Sequence, residues 1–276
     1  MKLRIVTDTA ADCLKQEITA FNIDIIDLPV TFDNETETCH DMTTFWSKLL
    51  DGGVARTSQP SPEDIKKCFT AAKDAGDELI FVTISSRLSG TYESALSIQK
   101  ELGYDNVYIV DSLNASASEK VLVLEACKMR DEGLGAKQIV EKLEQLKHKV
   151  RIYAYIDTLK YLARGGRISK STAAIGSLIN IKPLIEFVDG EIHNFGKAVG
   201  TTIATRKFTE YLAKQNIDYN YQPIPIYSYN NKNALSFIKH ACELKIEIDS
   251  ANLTPIGATI ATHIGPDAFG IVFVVK

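Results

Sequence analysis

The chain has 276 residues, more than a usual single domain, and 45% of them are hydrophobic, enough for a core in each of two lobes. The net charge of −4 argues against a nucleic-acid partner, and the five widely spaced cysteines favour free thiols over a disulfide-stabilised secreted fold. No apolar stretch reaches the roughly 20 residues that span a bilayer, and residues 1–8 resemble a first strand more than a signal peptide. We therefore expect a soluble, cytoplasmic protein without stable membrane insertion.

Strand and helix patterns alternate through the first half of the chain. The apolar run at 78–84 is typical of a central parallel strand that is covered on both faces. Ser61-Pro62-Glu63-Asp64 is a typical helix start, with a hydroxyl cap, an early proline and two acids. The alternation predicts a parallel sheet with helices on both faces. The predicted strands are 3–7, 23–32, 78–84 and 107–111, and the predicted helices are 11–21, 43–50, 91–102, 121–130, 136–147 and the one that starts at 61.

The pattern changes after residue 151. Asp189-Gly190 lies between two β-rich runs and predicts a tight hairpin. The second half as a whole predicts a mixed α/β lobe, and no linker of biased composition precedes it. The predicted domains are therefore 1–155 and 156–276, packed closely. The predicted strands are 151–156, 183–188, 191–195, 224–229 and 270–275, and the predicted helices are 157–163, 171–179, 201–213 and 234–244.

Polar clusters follow several predicted strands, at the edge where open α/β sheets bind ligands. The stretch 85–92 joins a buried strand to a helix, so Ser89 would lie at the helix entrance among free backbone N–H groups. That geometry attracts a carboxylate or a phosphate, although the same serine could simply cap the helix. Asp8-Thr9-x-x-Asp12 and the hydroxyl-rich stretch 57–62 are also explained either by helix capping or by ligand binding.

Two further clusters lie in the second half. Arg164 and Arg167 flank a glycine pair, which suits an oxyanion or a phosphate, although solvated arginines of a surface loop give the same pattern. His263 lies on a loop with glycine and proline, where functional residues tend to occur, although a lone histidine is often structural. The sequence contains no nucleophile elbow, Walker loop, dinucleotide motif or zinc-protease motif. We therefore predict no catalytic residue, metal or cofactor.

The clusters occur in a fixed order over nearly the whole chain: Val6-Thr7-Asp8-Thr9, Thr57-Ser58-Gln59-Pro60-Ser61, Leu88-Ser89-Gly90-Thr91-Tyr92, Asp111-Ser112, Arg164-Gly165-Gly166-Arg167-Ile168-Ser169, Lys182-Pro183-Leu184 and Thr262-His263-Ile264-Gly265-Pro266. Each string alone is weak. In this order they resemble the DegV family of bacterial fatty-acid-binding proteins.

The resemblance implies an N-terminal three-layer α/β/α lobe with a parallel sheet and a C-terminal α/β lobe with a mixed sheet. One long-chain fatty acid would lie in a tunnel between the lobes. Residues 1–155 would carry the carboxylate-binding loops, and 156–276 would close the tunnel. The implied lipid-binding residues are Thr57, Ser58, Ser89, Gly90, Thr91 and His263.

The resemblance also implies a partner. Some members of the family present the acyl carboxylate to a separate kinase that resembles dihydroxyacetone kinase, and Arg164 and Arg167 would then face the phosphoryl group or the partner. Lys197-Ala198-Val199 departs from the family, because many relatives carry Lys-x-Arg there to help dock the kinase. Ala115–Lys120 replaces a glycine-rich stretch, and Asp267 stands where a glycine is common.

Two other functions compete with a fatty-acid carrier. In a serine-dependent hydrolase of acyl or phosphate esters, Ser89 would be the nucleophile and His263 the base, but no third orienting residue is evident. In a regulatory module, the bound lipid would only report membrane status. We expect a carrier, not an enzyme.

Overall fold

The computed structural model describes residues 2–33, 35, 37–167 and 181–276. The strands are β1 Leu3–Asp8, β2 Ile23–Ile26, β3 Val30–Phe32, β4 Ala55–Thr57, β5 Glu78–Thr83, β6 Val107–Asp111, β7 Val150–Tyr155, β8 Ile181–Val188, β9 Glu191–Val199, β10 Ile224–Tyr227, β11 Thr254–Pro255 and β12 Phe269–Val274. The helices are α1 Lys15–Phe21, α2 Met42–Leu50, α3 Pro62–Ala75, α4 Thr91–Leu102, α5 Ala117–Asp131, α6 Ala136–Leu146, α7 Lys160–Gly165, α8 Thr201–Leu212, α9 Lys232–Glu243 and α10 Ala258–Ile264.

The chain divides into two units. The described residues of Met1–Val30 and Thr57–His148 form the first, and those of Thr31–Arg56 and Lys149–Lys276 form the second. The sequence analysis placed the boundary after residue 155. In the structure β7 pairs with β8 and β12, so its residues cluster with the second unit. The predicted helix 171–179 and the Ile168-Ser169 end of the arginine cluster lie outside the described residues.

A parallel sheet forms the centre of the first unit. Its strand order is β2-β1-β5-β6, and every neighbouring pair is parallel. Leu79–Thr83 of β5 are fully buried, which confirms the prediction of a central, covered strand. The core beside it contains Val6, Phe69 and Phe81. This sheet brings the carboxyl ends of its strands, and the polar loops that follow them, to one edge.

The second unit is built on a mixed sheet. Its strand order is β11-β10-β12-β7-β8-β9, with one parallel pair, β10 and β11, and antiparallel pairs elsewhere. The core is aromatic: Tyr155 stacks on Phe269 at 4.8 Å, and Phe208 and Phe237 pack on Phe269. The predicted fold class, a parallel-sheet lobe followed by a mixed-sheet lobe, is confirmed.

Local chemistry explains where several elements begin and end. Ser61 caps α3 by accepting the N–H of Asp64 at 3.1 Å, and the helix ends at Gly76, which has φ +65°. Asp189 and Gly190 both have positive φ and close the predicted hairpin between β8 and β9. The predicted strand 23–32 is two strands, because Pro29 has no N–H to donate. Among the described residues, no helix is long and apolar enough to cross a bilayer.

Candidate functional site

The start of α4 carries the first group of predicted ligand-binding residues. Ser89 Oγ lies 2.8 Å from Thr91 Oγ1 and accepts the Thr91 N–H at 3.4 Å. Thr91 is fully buried and Ser89 is partly exposed, so the threonine contacts the serine hydroxyl from the interior of the protein. Gly90, the residue that precedes the helix, provides no side-chain cap. A partly exposed hydroxyl at the N-terminus of a twelve-residue helix is favourable for a carboxylate.

The loop that presents Ser89 is fixed by its own hydrogen bonds. Ser85 donates its N–H to the carbonyl of Asn114 at 2.8 Å, accepts the Arg87 N–H on its hydroxyl at 3.2 Å, and accepts the Ser89 N–H on its carbonyl at 3.1 Å. Asp111 accepts the Ser86 N–H at 3.1 Å. The loop therefore holds Ser89 in place without a ligand.

The segment that follows β4 reaches the same place. Ser58 donates its N–H to the carbonyl of Pro29 at 3.1 Å, which holds the segment beside the end of β2. The side chain of Gln59 then extends to Gly90, where a Cβ atom would collide with Gln59 Oε1. The structure thus joins the segment of Thr57 and Ser58 to the Ser89–Thr91 turn. Sequence reasoning assigned no role to Gln59, although it lies inside a string that was singled out.

In the second unit, α7 and α10 bring His263 and the arginines together. His263 lies in the last turn of α10, so its predicted position on a loop is wrong. A Cβ at Gly165 would collide with the His263 ring, and a Cβ at Gly265 would collide with the ring of Tyr161. The His263 ring of α10 therefore packs against Gly165 of α7, and the Tyr161 ring of α7 packs against Gly265, which follows α10. This reciprocal contact explains why the chain has glycine at positions 165 and 265.

The charge state of His263 follows from its surroundings. Burial, together with the positive charge of Arg167, lowers the pKa of His263 to about 4. The imidazole is therefore neutral at pH 7. Arg167 donates from Nη1 to the carbonyl of Gly165 at 2.6 Å, and both Arg167 and Arg164 are exposed.

The first unit also contains a group of buried carboxyls, which consists of Asp8, Asp12 and Glu119. Asp8 accepts the N–H of Ala10 at 3.0 Å and that of Ile84 at 2.9 Å, so it both caps a turn and ties β1 to the start of the 85–90 loop. Burial raises the pKa of Asp8 to about 7, against the two backbone hydrogen bonds, and nearby Asp12 raises it as well. The capping explanation of the Asp8 cluster is thus confirmed.

Glu119 is the group that sequence reasoning missed. Its Oε1 accepts the Thr7 hydroxyl at 3.1 Å, and its buried Oε2 has no hydrogen-bond partner among the described residues. Burial, followed by the charge of Asp8, holds the pKa of Glu119 well above its usual range. Lys120 is also buried, with Nζ 3.3 Å from Glu17 Oε1. No set of three or more His, Cys, Asp or Glu side chains in the described ranges could hold a metal ion.

Comparison with known proteins decides the family. The model of the DegV family matches residues 2–276. The chain belongs to the DegV family. A DegV domain-containing protein of Lactococcus lactis is 31% identical, over 98% of this chain and 97% of its own. A protein of Thermotoga maritima named fatty acid-binding protein is 29% identical, over 98% of this chain and 96% of its own.

A solved structure extends the comparison to three dimensions. The stearic acid-binding protein of Eubacterium ventriosum matches with a TM-score of 0.84 and 26% identity, over 100% of this chain and 99% of its own. The DegV resemblance that the ordered strings indicated is therefore confirmed. Of the predicted site residues, Thr57, Ser58, Ser89, Gly90 and Thr91 belong to the first unit, and His263, Arg164 and Arg167 to the second. Their convergence on one ligand stays a prediction.

Proposed function

We propose that the protein binds one long-chain fatty acid and holds its carboxylate at the start of α4. The observation that carries the proposal is the match, over the full chain, to a stearic acid-binding protein. The position of the Ser89 hydroxyl agrees with it, because Thr91 contacts that hydroxyl and the Ser85 carbonyl holds the backbone N–H of Ser89. Thr57 and Ser58 would contribute from the adjacent segment.

The affinity would come mainly from the tail. Burial of about 14 methylene groups at roughly 0.8 kcal/mol each contributes on the order of 11 kcal/mol. Association and desolvation remove several kcal/mol of that, and tight binding survives. Neutral donors therefore suffice for the head group, and a full ion pair would hold back a carboxylate that must later react. The neutral imidazole of His263 fits that requirement.

The finer proposal places the tail in a tunnel between the two lobes, with His263 beside the carboxylate. We favour a carrier over a hydrolase because the Thermotoga maritima relative is named a fatty acid-binding protein. The Ser89 hydroxyl contacts that of Thr91, a neutral group that does not activate a nucleophile.

Organic extraction of freshly purified protein, followed by mass spectrometry, is expected to yield fatty acid. Ser89→Ala should weaken palmitate binding about tenfold, the effect of one hydrogen bond to a charged acceptor. Ser97→Ala, on the exposed face of the same helix, is the matched control and should bind as the unsubstituted protein does. A lipid-free protein that also fails to bind added palmitate or oleate contradicts the proposal.

We also propose that the bound carboxylate is presented to a separate kinase that resembles dihydroxyacetone kinase, with Arg164 and Arg167 facing the transferred phosphoryl group. The carboxylate oxygen would attack the γ-phosphorus of ATP, forming acyl-phosphate and releasing ADP. Palmitate-loaded protein, kinase and ATP are expected to give acyl-phosphate, detected as the hydroxamate. Retention of lipid without this product would favour the lipid-sensing alternative.

Val199, where many relatives carry arginine, is 60% exposed and thus lies where a partner could reach it.

A further inference from the structure

The side chain of Gln59 covers the backbone of Gly90 at the start of α4. We infer that Gln59 is a head-group residue, whose Nε2 donates a hydrogen bond to the fatty-acid carboxylate. The inference rests on the proposed function and adds a residue to its site.

The orientation of the amide leaves its donor group available. Oε1 is the atom that lies against Gly90, where it can accept a weak Cα–H hydrogen bond. Nε2 has no hydrogen-bond partner among residues 2–33, 35, 37–167 and 181–276, and the side chain is exposed. An amide nitrogen carries two donors and suits an acceptor-only carboxylate.

The hydroxyl groups beside it cannot satisfy a carboxylate alone. Ser89 and Thr91 share one hydrogen bond, which uses one of their two hydroxyl hydrogens, and Thr91 is fully buried. With Thr91 as the donor of that bond, one hydroxyl hydrogen, on Ser89, is left for a ligand. A carboxylate offers about four acceptor positions. A further donor on the same side of the turn would fill another of these positions, and the Gln59 side chain contacts that turn.

The backbone prepares Gln59 for this position. The residue before a proline is restricted to extended conformations, and Pro60 follows Gln59 directly. The preceding residue, Ser58, is held to Pro29, and Ser61 caps α3 on the other side. Little backbone freedom is then lost when the amide meets a ligand.

Calorimetric titration of palmitate and of hexadecanol tests the inference, because the two ligands share a tail and differ in the head group. Gln59→Met keeps the length of the side chain without its donor and is expected to weaken palmitate binding about tenfold. Gln59→Glu places a negative charge at the same point and should weaken it further. Hexadecanol binding should change less than about twofold in both variants.

Gln16→Glu, an exposed position on α1, adds the same charge elsewhere in the first unit and should leave both affinities unchanged. If Gln59→Met binds palmitate as tightly as the unsubstituted protein, the inference fails and the proposed function stands. If it weakens palmitate and hexadecanol equally, Gln59 acts through the tail or the fold, and the inference fails again. If the unsubstituted protein binds no palmitate, the proposed function itself has failed.

Discussion

Gly265→Ala is expected to destabilise the second unit by about 3–4 kcal/mol. Gly265 has φ +73° and ψ −171°, a region that residues with a Cβ avoid at a cost of about 1–3 kcal/mol. The added methyl group would also collide with the ring of Tyr161, and overpacking of this kind costs about 1–3 kcal/mol more. The collision would separate α10 from α7 and so displace His263 from Gly165.

Gly200→Ala is the matched control for this substitution. Gly200 has φ +78° and ψ 155°, in the same backbone region, and an added Cβ there meets no atom of the described residues within 4 Å. It should show the backbone effect alone, about 1–3 kcal/mol. The single tryptophan, Trp46, belongs to the second unit, so urea unfolding followed by its fluorescence reports on that unit. Equal destabilisation by the two substitutions would contradict the reciprocal glycine–ring contact.

The elements that the sequence predicted well have local causes. The start of α3 depends on Ser61 and Pro62, and the hairpin turn depends on Asp189 and Gly190, all within a few residues of the structure they produce. The β5 strand was recognisable because a short, nearly continuous apolar run is typical of a strand that is covered on both faces. For the site, the same local reasoning located the start of α4 and its hydroxyl groups.

The features that the sequence did not predict depend on partners far along the chain. β4 is three residues long and is a strand only because it pairs with β3, which the sequence analysis predicted as part of one strand, 23–32. Membership of 31–56 in the second unit depends on such long-range packing. Glu119 has the pattern of an exposed acid in the first turn of a helix, yet it is fully buried. The contact of Gln59 with Gly90 joins two loops that only the fold brings together.

The second large effect is a rise in stability on Glu119→Gln, and it should depend on pH. A carboxyl whose pKa is raised in the folded state binds its proton more tightly there than in the unfolded chain. Its contribution to the free energy of unfolding is therefore complete below about pH 4 and is lost as the pH rises through the folded-state pKa. Glutamine cannot ionise, and its carbonyl oxygen can still accept the Thr7 hydroxyl.

The two proteins should therefore have similar stability near pH 4, and at pH 8 the variant should exceed the unsubstituted protein by on the order of 1–3 kcal/mol, the desolvation penalty of a buried polar group. Hydrogen exchange of α5 amides, followed by mass spectrometry, measures this locally. Glu141→Gln, at an exposed position on α6, removes the same charge from the surface and should change little. Asp8, with a pKa of about 7, makes the stability of both proteins depend on pH. The decisive quantity is therefore the difference in the free energy of unfolding between the variant and the unsubstituted protein at each pH. A difference that is flat from pH 4 to pH 8 would mean that the pKa of Glu119 is the same in the folded and unfolded protein, and a variant less stable at pH 8 would mean that the Glu119 charge is stabilising.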